Sequence, residues 1–411
     1  MWHALRSGTW LTAGRARRVA RVSIAVTVLA IGYVLLTGHG TVDTWGRPIG
    51  TDFSNVWTAG RMTDTGRAAA AWDWPRHYAE QVAVHGRGVP FYGWHYPPPF
   101  LLVAAVLAWL PYVSAYLIYQ GATLLAAWLV ARRIVPGAGL LALGFPAVFV
   151  CLGHGQNGFL TAALLGGGLL ALERRPVLAG VLFGCLCYKP QFAPVLPVLL
   201  IAGGQWRALA SAAASVAALV LTTTGIWGTE VWAAFAQSLA LTRATVIEGA
   251  GTGAYKIVSA FAAIRLNGGG VALAYGAQAL VSGAAVLSVA AAAWRGSADR
   301  RNALVCAAAL LATPYAFDYD MVVLGVAIAF VAREAMRDGW RPWERTGLAF
   351  AWAAPLIGRA VAQSTGVPLN LLAILVVAAL AGRRALPASD HRHAAVDVQR
   401  LPGDVAGLAA G

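Results

Sequence analysis

The chain has 411 residues, of which 59% are hydrophobic and 12% charged, and it carries a formal net charge of +14. A soluble domain usually holds about 25% charged residues, so a water-dispersed enzyme is excluded and lipid is the expected solvent. The arginines stand in short clusters between apolar runs and not along one basic stripe, which excludes nucleic acid as their partner and reads as a topology signal in a lipid bilayer.

In chain order, Arg15, Arg17, Arg18 and Arg21 close a cytoplasmic N-terminus spanning 1–21. They precede an apolar stretch at 22–36 that lacks a small-x-small cleavage site, the pattern of a signal anchor. The following polar stretch, 38–97, is expected to be a large extracytoplasmic loop, with 53–71 running partly along the membrane interface. Between 97 and 130, Pro111 divides the apolar sequence while Arg132 and Arg133 fall inside. One net crossing is therefore expected, with 100–110 re-entrant or interfacial. Further clusters at 174–175, 207, 295–301, 333–345 and 383–384 repeat the inside signal and give an all-α polytopic membrane domain over 22–384 with about twelve transmembrane helices. The apolar pieces 177–188 and 191–203 are short for full spans. The glycine- and histidine-bearing end, 385–411, is expected to be a disordered cytoplasmic tail.

This topology gathers the unusual polar residues on one membrane face: 153–157, 188–191, 228–267 and 313–320. Within the large loop, Asp52 can be read as a helix N-cap or as a general base taking a proton from an acceptor hydroxyl. Tyr96 precedes Pro97-Pro98-Pro99, which reads as a rigid helix start, and Tyr96 is a candidate donor contact. Gln156 and Asn157 break two apolar runs with groups suited to orienting a sugar or phosphate, whereas His154 alone is weak evidence for metal.

The chain has only two lysines, Lys189 and Lys256. Lys189 interrupts apolar sequence, where a cation must be paired or line a wet cavity, and a compact ammonium suits a lipid-linked phosphate. In the run 313–320, Tyr315, Asp318 and Asp320 can contact sugar hydroxyls, or one acid can pair with Lys189; Asp73 is a further loop carboxylate of this kind. Cys151, Cys185, Cys187 and Cys306 have neither zinc nor redox spacing and read as small buried hydrophobes. No Walker loop, dinucleotide fingerprint, HExxH or nucleophile elbow stands in a suitable context.

Asp52-Phe53 after the first span, Trp72-Asp73, Tyr96-Pro97-Pro98, Gly155-Gln156-Asn157, Ala179-Gly180 through Lys189-Pro190, and Thr313-Pro314 with Asp318-Tyr319 form an ordered series that resembles glycosyltransferase family 87, across about residues 20–380. The resemblance implies a GT-C membrane fold at the bacterial inner membrane, a polyprenyl-phosphate sugar as donor (typically the mannose lipid), a glycan or glycolipid acceptor, and chemistry on the extracytoplasmic side. Asp52 would be the base, with Lys189 and the Gln156-Asn157 turn near the donor phosphate; Lys256 and Tyr96 are further candidate donor contacts. No cofactor is implied beyond the donor lipid, a divalent ion being used by some GT-C relatives. The family usually has Tyr where this chain has Trp57, and a Tyr-Asp pair in place of Trp72-Asp73, which points to a different acceptor or sugar. Two rivals share many of these features: a transporter or flippase of lipid-linked sugars, which needs no base, and a non-catalytic membrane scaffold.

Overall fold

The structure is a computed structural model that describes residues 1–192, 194–249, 251 and 253–384; the expected tail at 385–411 lies outside the described residues. Among these the secondary structure is helical, apart from isolated bridges joining His39 to Val42, Val42 to Pro48 and Ile257 to Phe317.

The first long helix, Ala13–Thr37, is capped by the Thr12 side chain, which accepts from the Arg15 amide. It leaves Val22, Val26, Leu29 and Leu36 exposed, a surface that lipid tolerates and water does not. Among the described residues, three other helices are long and apolar enough to cross a bilayer: Tyr112–Ile134, Trp206–Trp227 and Val271–Trp294. The pair Pro136–Leu143 and Pro146–His154, bent by 54°, makes a fifth if taken as one span.

These helices do not reach the expected count of about twelve full spans. Several remaining apolar pieces, among them Gly158–Ala171, Pro176–Tyr188, Pro190–Ala202 and Leu369–Arg383, are shorter helices. For Pro176–Tyr188 and Pro190–Ala202 the cause is visible at Lys189. Helix Pro176–Gly184 tightens into a 3₁₀ turn at Cys185–Tyr188, and the chain resumes with a second 3₁₀ turn at Pro190–Phe192 before helix Val195–Ala202.

Close packing compensates for short helices. Gly180 and Gly184, four residues apart, face Ala208, Ser211, Ala212 and Ser215 of helix Trp206–Trp227 so closely that a Cβ on either glycine would overlap the neighbouring backbone or Ser side chains. Small residues at this spacing let two helix backbones approach and gain dispersion contacts.

The stretch expected at the interface forms helix Phe53–Asp64, in which every residue from Phe53 to Thr63 except Arg61 is buried. Protein, not the membrane surface, covers it. Gly60 lies against the Ala104 carbonyl of helix Leu101–Ala108 with no room for a Cβ, and the Trp57 indole donates to the Leu110 carbonyl at 3.0 Å. The apolar helix Pro98–Ala108 is too short to cross a bilayer, which leaves the crossing in this region to Tyr112–Ile134.

Candidate active site

Helix Tyr112–Ile134 carries Tyr112, Tyr116 and Gln120 at four-residue intervals, so they share one face. The Tyr112 hydroxyl donates to the Ile49 carbonyl at 2.6 Å, Tyr116 to the Leu152 carbonyl at 2.8 Å, and the Gln120 amide to the Gln156 carbonyl at 3.1 Å. One helix face thereby holds two loops far apart in sequence, 47–52 and 152–157.

Those loops touch because of two glycines. Gly50 and Gly155 adopt φ values of +72° and +61°, the left-handed region that glycine enters without a Cβ penalty. A Cβ on Gly50 would collide with the Tyr116 ring, and one on Gly155 with the Phe53 Cβ and the Gly50 carbonyl. Gly155→Ala is therefore expected to lower stability by about 1–3 kcal/mol, read as a drop in the unfolding midpoint of the detergent-solubilised protein; an unchanged midpoint would mean that the two loops can part without cost.

Their contact delivers Asp52 to Gln156. Asp52 begins helix Phe53–Asp64 without capping it. Its Oδ2 instead accepts from Gln156 Nε2 at 2.9 Å, while Gln156 Oε1 accepts from the Tyr96 hydroxyl at 2.9 Å. This chain of donors fixes the amide's orientation. Tyr96 is placed in turn by the Trp72 indole, which donates to its carbonyl at 3.1 Å, and by Trp94 and Phe100, whose rings lie 5.1 and 4.6 Å away.

All three residues line a cavity of about 1180 Å³. Also on its wall are His154, Lys189, Lys256, Tyr315 and Asp318, drawn from the polar segments that the sequence places on one membrane face, and Arg359 from helix Glu344–Thr365. The bridge from Ile257 to Phe317, with the Val258 amide donating to the Ala316 carbonyl at 2.8 Å, brings Lys256 beside the 313–320 turn. A further part of the wall is apolar: Phe235, Leu239, Val246 and Ile247.

The charges on this wall are mostly balanced. Lys189, 2% exposed, donates to Asp320 Oδ1 at 2.5 Å, and Asp320 Oδ2 accepts the Phe317 amide at 3.1 Å. Arg359 Nε donates to Asp318 Oδ2 at 2.6 Å, Arg47 pairs with Asp43 at 3.2 Å, and Arg243 with Glu248 at 2.7 Å. Lys256 differs: among the described residues it forms no ion pair, and its ammonium lies 5.9 Å from the Tyr255 ring centroid. Withdrawal of Asp52 from bulk water raises its pKa above the ordinary carboxylate value, against the opposing pull of the Gln156 hydrogen bond and of Lys256 and Arg359. Burial pushes His95, whose Nδ1 lies 3.0 Å from the Thr242 hydroxyl, down to about 4, so this wall residue is neutral at pH 7.

Three residues expected at the site are not on the cavity wall, one of them Asp320, which is 1% exposed and lies behind it as the partner of Lys189. Asp73 is outside the cavity: it caps helix Trp74–His85 by accepting from the Arg76 amide at 3.1 Å and pairs with the Arg76 guanidinium at 3.4 Å. Asn157, 1% exposed, sits behind the wall at the start of helix Gly158–Ala171. Among the motif residues, Ala179-Gly180 serves helix packing. The thiols of Cys151 and Cys306 are buried and those of Cys185 and Cys187 partly so, all four free. Among the described residues, no three His, Cys, Asp or Glu side chains gather as a metal-ligand set.

Arg359 and Thr51 are among the wall residues that sequence reasoning missed. Arg359 lies in the apolar part of helix Glu344–Thr365, well past Arg345 and the arginine clusters that mark topology, and an isolated charge in an apolar run is itself a site signal.

No curated protein and no solved structure matches the chain. The model of glycosyltransferase family 87 matches residues 94–314, more than half of it. The matched segment contains Tyr96, His154, Gln156, Lys189 and Lys256, while Asp52, Asp318 and Arg359 fall outside it and join the same cavity through the fold. The match favours transfer chemistry over the transporter and scaffold alternatives. With apolar helices long enough to cross a bilayer, the chain is a membrane glycosyltransferase and belongs to glycosyltransferase family 87.

Proposed function

We propose that the protein transfers a hexose, mannose in the first instance, from a polyprenyl-phosphate donor to a hydroxyl of a glycan or glycolipid at the extracytoplasmic face of a bacterial inner membrane. The observation that carries this reading is one cavity with a carboxylate, a cation free of carboxylate partners and an apolar wall: Asp52, Lys256, and Phe235, Leu239, Val246 and Ile247. A lipid phosphate needs all three environments, and a nucleotide donor would need a recognition motif that the sequence lacks.

In the proposed step the acceptor oxygen forms a bond to the anomeric carbon as the bond from that carbon to the phosphate oxygen breaks. The acceptor proton passes to Asp52, and the bonding pair leaves with polyprenyl phosphate. Inversion at the anomeric carbon follows from a single displacement. The leaving phosphate is stable as an anion, so the main electrostatic task is to meet its charge, which we assign to Lys256. Lys189, already balanced by Asp320, shapes the same wall. Gln156 and Tyr96 orient Asp52, and Tyr315 offers a ring for the sugar face, with Asp318 beside it. The chemistry as written uses no group beyond the donor lipid and the acceptor.

The test is transfer by protein purified into proteoliposomes, with radiolabelled polyprenyl-phosphate mannose compared with nucleotide-linked mannose. Product formed from the lipid donor alone supports the reading, and product formed only from the nucleotide donor sinks it. Lys256→Gln is expected to raise the donor KM by about tenfold, since a charge-assisted hydrogen bond contributes about 1.5–3 kcal/mol; an unchanged KM would remove Lys256 from the phosphate site.

A further inference from the structure

Behind Asp52 lies an arrangement that general-base catalysis alone does not require. The Thr51 backbone has φ +30°, a value that a β-branched residue adopts only under constraint. Thr51 immediately precedes the proposed base, so relaxation at Thr51 would swing the Asp52 carboxylate away from its position in the cavity.

The constraint is traceable. Thr51 Oγ1 lies 3.1 Å from His154 Nδ1, and His154 Nε2 lies 2.8 Å from Arg359 Nη2. A guanidinium can only donate, so Nε2 accepts, the ring is neutral, and its proton resides on Nδ1. That N–H donates to Thr51. Arg359 is anchored by Asp318 at 2.6 Å, which also balances its charge. His154 Nδ1 is 3.8 Å from Asp52 Oδ2, beyond direct hydrogen-bond range, so its geometric hold is on Thr51 and not on the carboxylate.

We propose that His154 is a positioning residue, set in one tautomer by the Arg359–Asp318 pair, that clamps Thr51 in its strained conformation and thereby aims Asp52 at the acceptor. This deepens the function proposed above and rests on Asp52 as the base. It assigns a role to helix Glu344–Thr365, which lies outside the segment matched by the family. With its ring N–H held toward Thr51 and the lone pair on its other nitrogen engaged by Arg359, His154 has no free lone pair with which to take the acceptor proton.

The experiment compares His154→Ala, His154→Asn, Arg359→Gln and the double variant Thr51→Gly/His154→Ala for kcat and donor KM in proteoliposomes. His154→Ala and Arg359→Gln are expected to lower kcat about 10- to 100-fold, the scale of a modest misplacement of a reacting group, with donor KM within about twofold. His154→Asn, whose amide can still donate to Thr51, should keep more of the rate than His154→Ala. The double variant should recover, by about tenfold, rate lost in His154→Ala, because glycine adopts positive φ without a clamp. A histidine acting on substrate directly, or one needed only for folding, gives no such rescue.

Wild-type kcat in His154→Ala, or a double variant no faster than His154→Ala, overturns the proposal. The donor reading fails separately, through absence of transfer by the wild-type protein. In that event the same variants read by unfolding temperature still decide the clamp: Thr51→Gly and His154→Ala should be coupled, as residues in contact are, and additive shifts overturn it.

Discussion

Asp52→Asn is expected to lower transfer by about 10²–10⁴-fold, the contribution of a positioned general base, while leaving the protein at least as stable as the wild type. Asparagine keeps the shape and can still accept from Gln156 through its carbonyl, so the hydrogen-bonded row from Tyr96 through Gln156 survives. What is lost is the capacity to take a proton. The stability half follows from the raised pKa. A carboxyl whose folded-state pKa lies above its unfolded value favours folding most when protonated, and that contribution is lost as pH rises through the folded value. At neutral pH the ionised carboxylate is thus a cost that asparagine removes. The same shift predicts that kcat falls on acidification at a pH above the ordinary carboxylate pKa, as the base becomes protonated. Rates across pH, together with unfolding midpoints of both proteins, check all three statements. An Asp52→Asn protein that transfers at the wild-type rate ends the assignment of Asp52 as base; one that is inactive but much less stable would mean a structural role.

The reason Asp52 is free to do chemistry shows where sequence reasoning stops. An aspartate before a helix is a strong capping signal, and both readings of Asp52 were open from residue type alone. An N-cap needs extended backbone to bring its carboxylate over the first amides, and Asp52 has φ −66° and ψ −21°, already helical. Its carboxylate therefore projects elsewhere. The cause is the left-handed Gly50-Thr51 turn; glycine announces such a turn, but a β-branched threonine at positive φ cannot be foreseen from propensity. Asp73 shows the converse. Followed by Trp74 and Pro75 at a helix start, it carries the full cap signature and obeys it.

The polar segments proved more informative than the span count. Arginine clusters constrain which ends of the apolar runs share a side, and from that parity the segments around Gln156, Lys189, Lys256 and Tyr315 fall together; the fold gathers them around one cavity. Parity does not say whether an apolar run crosses as one helix or stops at an internal apex, and Lys189-Pro190 stops one. Arg359 does not stand out in sequence because arginine supplies nearly all of the chain's cations, so a charge within the protein looks like a charge at the membrane edge. Lysine, present only twice, had no such background.

Lys189→Met should be among the most destabilising single substitutions, costing about 3–5 kcal/mol, because it leaves Asp320, 1% exposed, as an uncompensated charge among apolar neighbours. Asp320 cannot swing out to water without releasing the Phe317 amide, on which the turn beside Lys256 depends. The partner change Asp320→Asn keeps an acceptor for that amide and removes the charge. Combined with Lys189→Met, it should therefore recover most of the lost stability, even though the pair itself is gone. This pattern, one partner costly and both partners cheap, is what burial dictates when the desolvation of two ions nearly cancels their attraction. Unfolding midpoints of the single and double variants measure it, and a double variant as unstable as Lys189→Met would mean that the ammonium's contacts with the Phe192 and Tyr319 rings, at 5.5 and 5.4 Å, matter more than its charge. The double variant also separates the two lysines in function. With Lys189 neutralised in the wild-type protein by Asp320, its removal together with Asp320 leaves the cavity's net charge unchanged, so donor KM should rise less than it does in Lys256→Gln, where an unbalanced positive charge is withdrawn from the proposed phosphate site.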